Sequence, residues 1–445
     1  HNHRIRVIND QGDYVWRRMD EGDKGDQVVL KKDTLGHGET IALKPVPQGN
    51  RALSALPRTL TPDFAEQLGL YMGDGYPKAR GGLHIIVAQH DPDLLQHVID
   101  QNKRIWGDRN VTVESRKGAW VVNLNGYYIS RFYKANGFSK PAGNHGEGAA
   151  GAFIPDAVLR AGRDCVAAFL RGLFEADGSA HQQHVTLATT SERLVKQVQI
   201  ALLGLGIVAN VRQMPEQENR YGMRPMYELR ILNRKEVAKF RDIVGFISQR
   251  KQAQIAELGV SDGRGDTVAV PALVEEFYAS SKGLKNSVRQ QIIQRRRNGA
   301  LNQHFVSEMV ETHPVLRESQ LGKLVSMGVF LDEVVTIVDG ECDTYDLSVP
   351  DNHTYIANGF VSHNTTGTMV NTSTGIEPFF SWKYYRKSRL GLHEENVPLV
   401  QEWFDAHPGA TELPDYFATA MDLAPEDHAR VQAAIQRWVD SSISK

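Results

Sequence analysis

"FLRGLFEADG" (Phe169–Gly178) decides the fold, because the chain contains a second version of it. "EQLGLYMGDG" (Glu66–Gly75) aligns with it, setting Gly69 against Gly172, Gly73 against Ala176, Asp74 against Asp177 and Gly75 against Gly178. Each reads as a short helix. Small residues four apart form a face along which two helices can approach closely. Each Asp falls in the last turn, with a Gly behind it for a left-handed cap. A carboxylate there meets the negative end of the helix dipole. Two such helices side by side bring two carboxylates together, which is costly unless a divalent cation neutralises them. A single Asp-Gly merely ends a helix. Two copies point instead to metal-assisted hydrolysis, with Asp74 and Asp177 as ligands to Mg2+.

Working outward, each helix heads a similar run of elements. "LHIIVAQ" and "AWVVNLN" read as strands, and "DPDLLQHVIDQNKRIW" and "GYYISRFYKANG" as helices. The order recurs in "HVTLATT", "SERLVKQVQIALLGLG", "VANVRQM", "YELRILN" and "RKEVAKFRDIVGF". Residues 63–138 and 164–246 therefore read as two copies of one unit. Before them, 4–46 looks all-β ("IRVIND", "VVLKK"), followed by a Pro-punctuated linker, Lys44–Pro57. Residues 271–326 look mostly helical and polar. From Phe277 to Ser307 no acidic residue occurs, whereas Lys282, Lys285, Arg289, Arg295, Arg296 and Arg297 do. Such a run is either a solvated helix face or a phosphate-contacting one; the missing acids favour phosphate.

Bulk properties narrow the classes. At 445 residues, and about 150 per domain, some three domains are expected. Hydrophobic content is 41% and net charge −2, so any nucleic-acid surface is a local basic patch. Cys165 and Cys342 are too few for a disulfide framework, which fits a cytoplasmic location. No apolar run is long enough for a membrane span, and no signal peptide stands out. The start "HNHRIRVIND" reads as a fragment cut inside an element.

The paired segments resemble the two motifs of LAGLIDADG homing endonucleases, "GLFEADG" more closely. Met72 departs from the pattern, at a position where the family often has an acidic residue. The resemblance implies an αββαββα unit repeated twice, a monomeric enzyme, double-stranded DNA as partner and Mg2+ as cofactor. It places the sheets in the DNA major groove, where Arg212, Arg230 and Lys117 are candidates for base or phosphate contact. Lys251, in "FISQRKQAQI", is either an electrostatic helper at the scissile phosphate or a solvated helix charge.

A different chemistry appears at "NGFVSHNTTGTM" (Asn358–Met369). An Asn amide can attack its own backbone carbonyl, closing a succinimide and breaking the chain after Asn364. His363 could protonate the leaving amide or stabilise the oxyanion, and His353 could polarise the Asn amide. Thr365 supplies a hydroxyl nucleophile. "TYDLSVPDNHTYIANGFVSHN" resembles the C-terminal splicing block of inteins, with Asp346 and His353 at family positions. The first thirty residues resemble the segment that opens with a Thr-x-x-His motif, His3 being its histidine. Inteins begin with Cys or Ser, and neither Cys165 nor Cys342 stands in for it. The expectation is a chain that does not splice alone, needs a missing N-terminal intein and extein segment, and retains cleavage after Asn364.

Beyond that bond, "TTGTMVNTSTGIEPFF" and "LPDYFATAMDLAPEDHARVQAAIQRWVDSSISK" resemble adenosylcobalamin-dependent ribonucleotide reductase. The resemblance implies substrate diphosphate contacts at Thr366, Gly367 and Thr368, and adenosylcobalamin for the spliced host only. The implied architecture is multidomain. An all-β intein (Hint) splicing domain takes 1–56 and 328–364, an α+β endonuclease 57–260, and a basic helical DNA-contact segment 261–327. A mainly helical reductase segment takes 365–445. The alternatives are a DNA-binding module that no longer cleaves, or a chain whose function is its host's deoxyribonucleotide synthesis.

Overall fold

The computed structural model describes residues 3–47, 56–78, 81–141, 147–181, 184–214, 225–256, 266–299, 301–338, 354–363, 382–388, 391–396, 398–414, 417–419, 421–424, 426–427 and 430. They form two compact units, the first running to His363 and the second starting at Trp382.

The first unit opens with three strands rich in β-branched and aromatic residues, β1 (Arg4–Ile8), β2 (Tyr14–Arg18) and β3 (Gln27–Lys31). Two runs of the same order follow. The first is α1 (Pro62–Asp74), β4 (Gly75–Pro77), β5 (Leu83–Ala88), α2 (Pro92–Trp106), β6 (Val111–Arg116), β7 (Ala119–Leu124) and α3 (Tyr127–Ala135). Two short helices, α4 (Glu147–Ala150) and α5 (Asp156–Arg160), lead to the second. It comprises α6 (Arg163–Asp177), β8 (Gly178–His181), β9 (His184–Thr189), α7 (Glu192–Gly204), β10 (Asn210–Gln213), β11 (Tyr227–Ile231) and α8 (Arg234–Ile243).

Local signals fix several starts. Thr61 accepts from Phe64 N at 3.2 Å with Pro62 in the first turn of α1, and Ser191 accepts from Leu194 N at 3.1 Å to cap α7. Each run folds into a four-stranded antiparallel sheet, ordered β4-β5-β7-β6 and β10-β11-β9-β8. In β5 the alternation of "LHIIVA" buries Leu83, Ile85 and Val87 and turns His84, Ile86 and Ala88 outward. β9 repeats this with Val185, Leu187 and Thr189. The inward faces and α1 and α6 share one core, which includes Phe64, Leu68, Trp106, Phe132, Phe169 and Phe240.

Helix α9 (Gln249–Ala256) follows, then α10 (Pro271–Ser280), α11 (Asn286–Arg297), α12 (Gln303–Thr312) and α13 (Gln320–Ser326). Strands β12 (Val329–Glu333), β13 (Thr354–Ala357) and β14 (Phe360–His363) close the unit. They join the opening strands in one six-stranded sheet, β12-β3-β1-β14-β13 with β2 on β1. Its register sets Leu331 opposite Val29 and Arg4 opposite His363. The basic helices are not a separate appendage. Leu273, Phe277, Ile292, Phe305 and Leu321 share a core with Ile8, Val29, Leu331 and Val361 of this sheet.

In the second unit, β15 (Lys383–Ser388) and β16 (Gly391–Asn396) pair antiparallel, followed by α14 (Pro398–Ala406). Trp403 stacks on His407 and meets Phe417 edge-on. Among the described residues of this unit, twelve pair as strands and nine form α14. Among the described residues no helix is long and apolar enough to cross a membrane.

Candidate active site at the abutting helix ends

Helices α1 and α6 touch backbone to backbone. A Cβ added at Gly69 would lie 2.0 Å from Phe169 O, and one at Gly172 would lie 2.1 Å from Glu66 O. One turn later a Cβ on Gly73 would lie 2.4 Å from the Ala176 methyl, so the interface has room for one methyl there and not two. The seam is closed laterally by Arg171, whose guanidinium donates to Glu66 Oε2 at 3.0 Å and to Val244 O at 2.7 Å.

The seam delivers Asp74 and Asp177 to the same end as the last residues of their helices. The left-handed caps expected behind them are absent. Gly75 has φ −101° and Gly178 φ −90°, both extended. The glycines are needed for space: a Cβ would lie 2.6 Å from Tyr71 O or 2.5 Å from Phe174 O as each helix turns directly into a strand.

Asp74 reaches solvent on one side and is crowded by protein atoms on the others. Burial pushes its carboxyl up to about 6, against the opposing pull of Lys140 and Lys251. Burial, then the charge of Asp74, pushes Asp177 up to about 7. The dipole problem at these helix ends is met by two buried ammonium groups. Lys140 Nζ donates to Met72 O and Gly73 O, both at 3.1 Å. Lys251 Nζ donates to Phe174 O at 3.1 Å, to Glu175 O, and to Gly178 O at 2.8 Å. Burial lowers the Lys140 amine to about 8, although Asp177 and Asp74 hold it up, and it lowers Lys251 too.

The solvated-charge reading of Lys251 is therefore corrected: the amine is buried on the carbonyls of α6. Lys140 was missed by the sequence reading. A signal existed, because each lysine follows a Gly-Phe pair just after the last helix of its run, Gly137-Phe138 and Gly245-Phe246. Glu175, the counterpart of Met72, is engaged by the chain that enters α9. Its Oε2 accepts from Ile247 N at 2.7 Å and Ser248 N at 3.0 Å, holding the start of α9. A cleft of about 410 Å3 opens beside the pair, lined by Asp74, Asp91, Glu175, His181, Arg250 and Lys251. Among the described residues no group of three or more His, Cys, Asp or Glu side chains is arranged to hold one metal ion.

Raised carboxyl pKa values carry a stability cost. The folded state holds the Asp177 proton more tightly than the unfolded chain, so the penalty is complete above pH 7, shrinks as pH falls from there toward the ordinary carboxylate value, and is gone below it. Asp177→Asn is therefore expected to raise the melting temperature of the metal-free protein at pH 8 by on the order of 2 °C, and by less at pH 5. Equal gains at both pH values in thermal melts would exclude burial of charge as the cause.

The other expected site residues divide three ways. His3 and His363 are in the six-stranded sheet region: the His3 ring lies 6.1 Å from Tyr355 between centroids, and the His363 ring meets Trp16 edge-on at 5.0 Å. Asp346, His353, Asn364, Thr365, Thr366, Gly367 and Thr368 lie outside the described residues. Of the basic run, Lys282, Lys285 and Arg297 are exposed. Arg296 is instead held by Glu275 (2.6 and 2.7 Å), Arg295 lies over Phe305, and Arg289 donates to Tyr278 Oη at 3.2 Å. The acid missing from the run comes from α10 just before it, which sequence distance concealed. Arg212 and Arg230 are on the outer face of β10 and β11, Arg212 donating to Glu228 at 2.8 Å, and Lys117 is exposed in the β6–β7 turn.

Residues 164–245 match the LAGLIDADG-like domain family. Residues 363–445 match the barrel domain of ribonucleotide reductase. The chain thus carries a LAGLIDADG-like domain and a reductase barrel segment. It is 25% identical over 390 residues to the replicative DNA helicase DnaB of Synechocystis sp., covering 82% of this chain and 41% of the helicase. It is 23% identical over 331 residues to glutamine–fructose-6-phosphate aminotransferase of Methanocaldococcus jannaschii, covering 69% and 28%. The replication factor C small subunit of the same organism is 26% identical over 196 residues, covering 44% and 10%. The chain thus spans about two fifths or less of the length of these relatives. Among solved structures, I-DmoI in complex with DNA and Mn is similar with a TM-score of 0.29 at 14% identity, covering 41% of this chain and 96% of that one. I-WcaI bound to its DNA recognition sequence gives 0.32 at 17% identity, covering 45% and 87%.

Proposed function

We propose that this chain is a DNA-cutting homing endonuclease housed in an intein that interrupts a ribonucleotide reductase. The observation that carries the endonuclease reading is the carboxylate pair. Asp74 and Asp177 end two abutting helices, and each helix end is braced by a buried lysine. Hard oxygen donors whose own charges repel suit a divalent cation, which would neutralise them. Asp74 and Asp177 would hold Mg2+, and with two protein ligands the ion keeps most of its waters. The bound ion supplies an activated water and charge stabilisation at the phosphate. The chain's residues position that centre: the α1–α6 seam fixes the two carboxylates, and Lys140 and Lys251 add positive charge beside them. The outer sheet faces, with Arg212 and Arg230, and the exposed Lys282, Lys285 and Arg297 are the surfaces offered to double-stranded DNA. The substrate is the uninterrupted reductase gene. Cutting of an end-labelled duplex of that sequence, dependent on Mg2+ and on both aspartates, tests the reading.

A second activity is favoured by a different observation. The relatives are named for helicase, aminotransferase and replication-factor functions, and an aminotransferase has no activity in common with a DNA helicase. What they have in common with this chain is thus best explained as an insert carried by each. The six-stranded sheet supports this, because strands from both sides of the endonuclease region pair within it. His363 ends β14, directly before Asn364. We therefore propose Asn364 cyclisation assisted by His363, His353 and Asp346, with His3 serving the upstream junction and Thr365 as the acceptor hydroxyl. Mass spectrometry is expected to find a fragment ending at residue 364, and Asn364→Ala to remove it. Persistence of that fragment in the variant would place the break elsewhere. Reductase chemistry, with adenosylcobalamin and with Thr366, Gly367 and Thr368 at the substrate phosphates, belongs to the spliced host.

A further inference from the structure

Lys251 rides on α9, and α9 is anchored to the opposite repeat. Arg250 Nε and Nη2 donate to the two oxygens of Asp91 at 2.7 and 2.8 Å, a parallel two-bond fork. Gln249 N donates to Asp93 Oδ2 at 2.7 Å. Asp91 and Asp93 stand at the start of α2, in the first repeat, whereas the carbonyls that Lys251 binds are on α6, in the second. Asp91 occupies the N-cap position of α2 but makes no side-chain bond to its own helix. An N-cap Asp ordinarily accepts from that helix. Here the residue is only 3% exposed and its carboxylate is turned to Arg250, with His90 Nε2 at 3.5 Å as a weaker neighbour. From the other side Glu175 accepts from Ser248 Oγ at 2.8 Å and from two backbone N–H groups, so α9 is gripped at its start by both repeats. Among the described residues Lys140 has no such support. It follows α3 in a loop, and Met72 replaces the acid at the position of Glu175.

We propose that Asp91 and Arg250 form a clamp between the repeats that positions Lys251, so that one of the two lysine-braced helix ends depends on the other repeat and the other does not. This deepens the endonuclease reading and rests on it: the two DNA strands would be cut by half-sites with different structural dependence. Asp91 and Arg250 are positioning residues, acting through Lys251. A planar guanidinium is required for the fork, so Arg250→Lys restores charge and only part of the geometry.

Two measurements on the full chain test this, with Asp91→Asn, Arg250→Met and Arg250→Lys. The first is competitive acetylation of lysines with acetic anhydride, read by mass spectrometry, which needs no DNA. Lys251 labelling is expected to rise on the order of tenfold in Asp91→Asn and Arg250→Met, and less in Arg250→Lys, with Lys140 within about twofold of the parent protein. An unchanged Lys251, or an equal rise at both lysines, overturns the clamp. The second is single-turnover cutting of a duplex of the uninterrupted reductase sequence, labelled separately on each strand. One strand is expected to slow by about tenfold and the other by less than about twofold. Equal slowing of both strands overturns the proposal. If the parent protein cuts neither strand, the endonuclease reading fails, and the labelling result still decides the clamp.

Discussion

Asp177→Asn is expected to abolish cutting of both DNA strands, with rate losses of at least about 10²-fold, the scale for removing one preorganised charged group from a reacting centre. Asp74→Asn is expected to do the same. The reason is geometric as well as electrostatic. The two carboxylates end helices packed so closely that a Cβ added at Gly69 or Gly172 would lie about 2 Å from the facing backbone, so neither can move to compensate for the other. Burial raises both carboxyls, to about 6 and about 7, because charge there is poorly solvated. Each substitution removes one carboxylate oxygen and its charge while keeping shape, so DNA binding, read by gel shift in Ca2+, should stay within about threefold, or ~0.7 kcal/mol. Loss of binding alongside loss of cutting would make the pair a structural element. Cutting that survives in both variants would remove the carboxylate pair from the chemistry altogether. Because a metal ion bound by these two carboxylates would have to displace their protons, cutting at limiting Mg2+ should rise between pH 6 and pH 8 in the parent protein.

Gly172→Val is expected to have the largest effect on stability. The first carbon of the new side chain would sit 2.1 Å from Glu66 O, a backbone atom in the middle of α1 that cannot rotate away. Relief requires the two helices to part, which opens the core beneath Leu68, Leu70, Phe169 and Leu173. Overpacking against flexible side chains commonly costs about 1–3 kcal/mol, and a clash with helix backbone should exceed about 3 kcal/mol. Gly69→Val meets Phe169 O at 2.0 Å and should behave alike. Gly36→Ala is the control, since an added Cβ there meets nothing within 4 Å. Urea titration followed by circular dichroism reads all three. A Gly172→Val midpoint within error of the parent value would mean that the helix ends, and with them the carboxylates, are not held by this seam.

What the sequence by itself determined was local and repeated. Two Gly-x-x-x-small-Asp-Gly segments fixed a pair of close-packed helices ending in carboxylates, because helix periodicity puts residues four apart on one face. Alternation in "LHIIVA" and "HVTLAT" fixed which side of each sheet is buried. The extended backbone at Gly75 and Gly178 was not legible, since Gly suits both a left-handed cap and a tight helix-to-strand turn. Only the tertiary structure decided how charge is used. Lys140 and Lys251 reach helix carbonyls some seventy residues away in the chain. Arg296, in a run without acids, finds Glu275 on the preceding helix, and Asp91 leaves its own helix to bind Arg250 from the other repeat. The physical reason is range. Hydrophobic period is set by backbone geometry within a few residues, whereas a buried charge takes whichever partner the completed fold brings within about 3 Å.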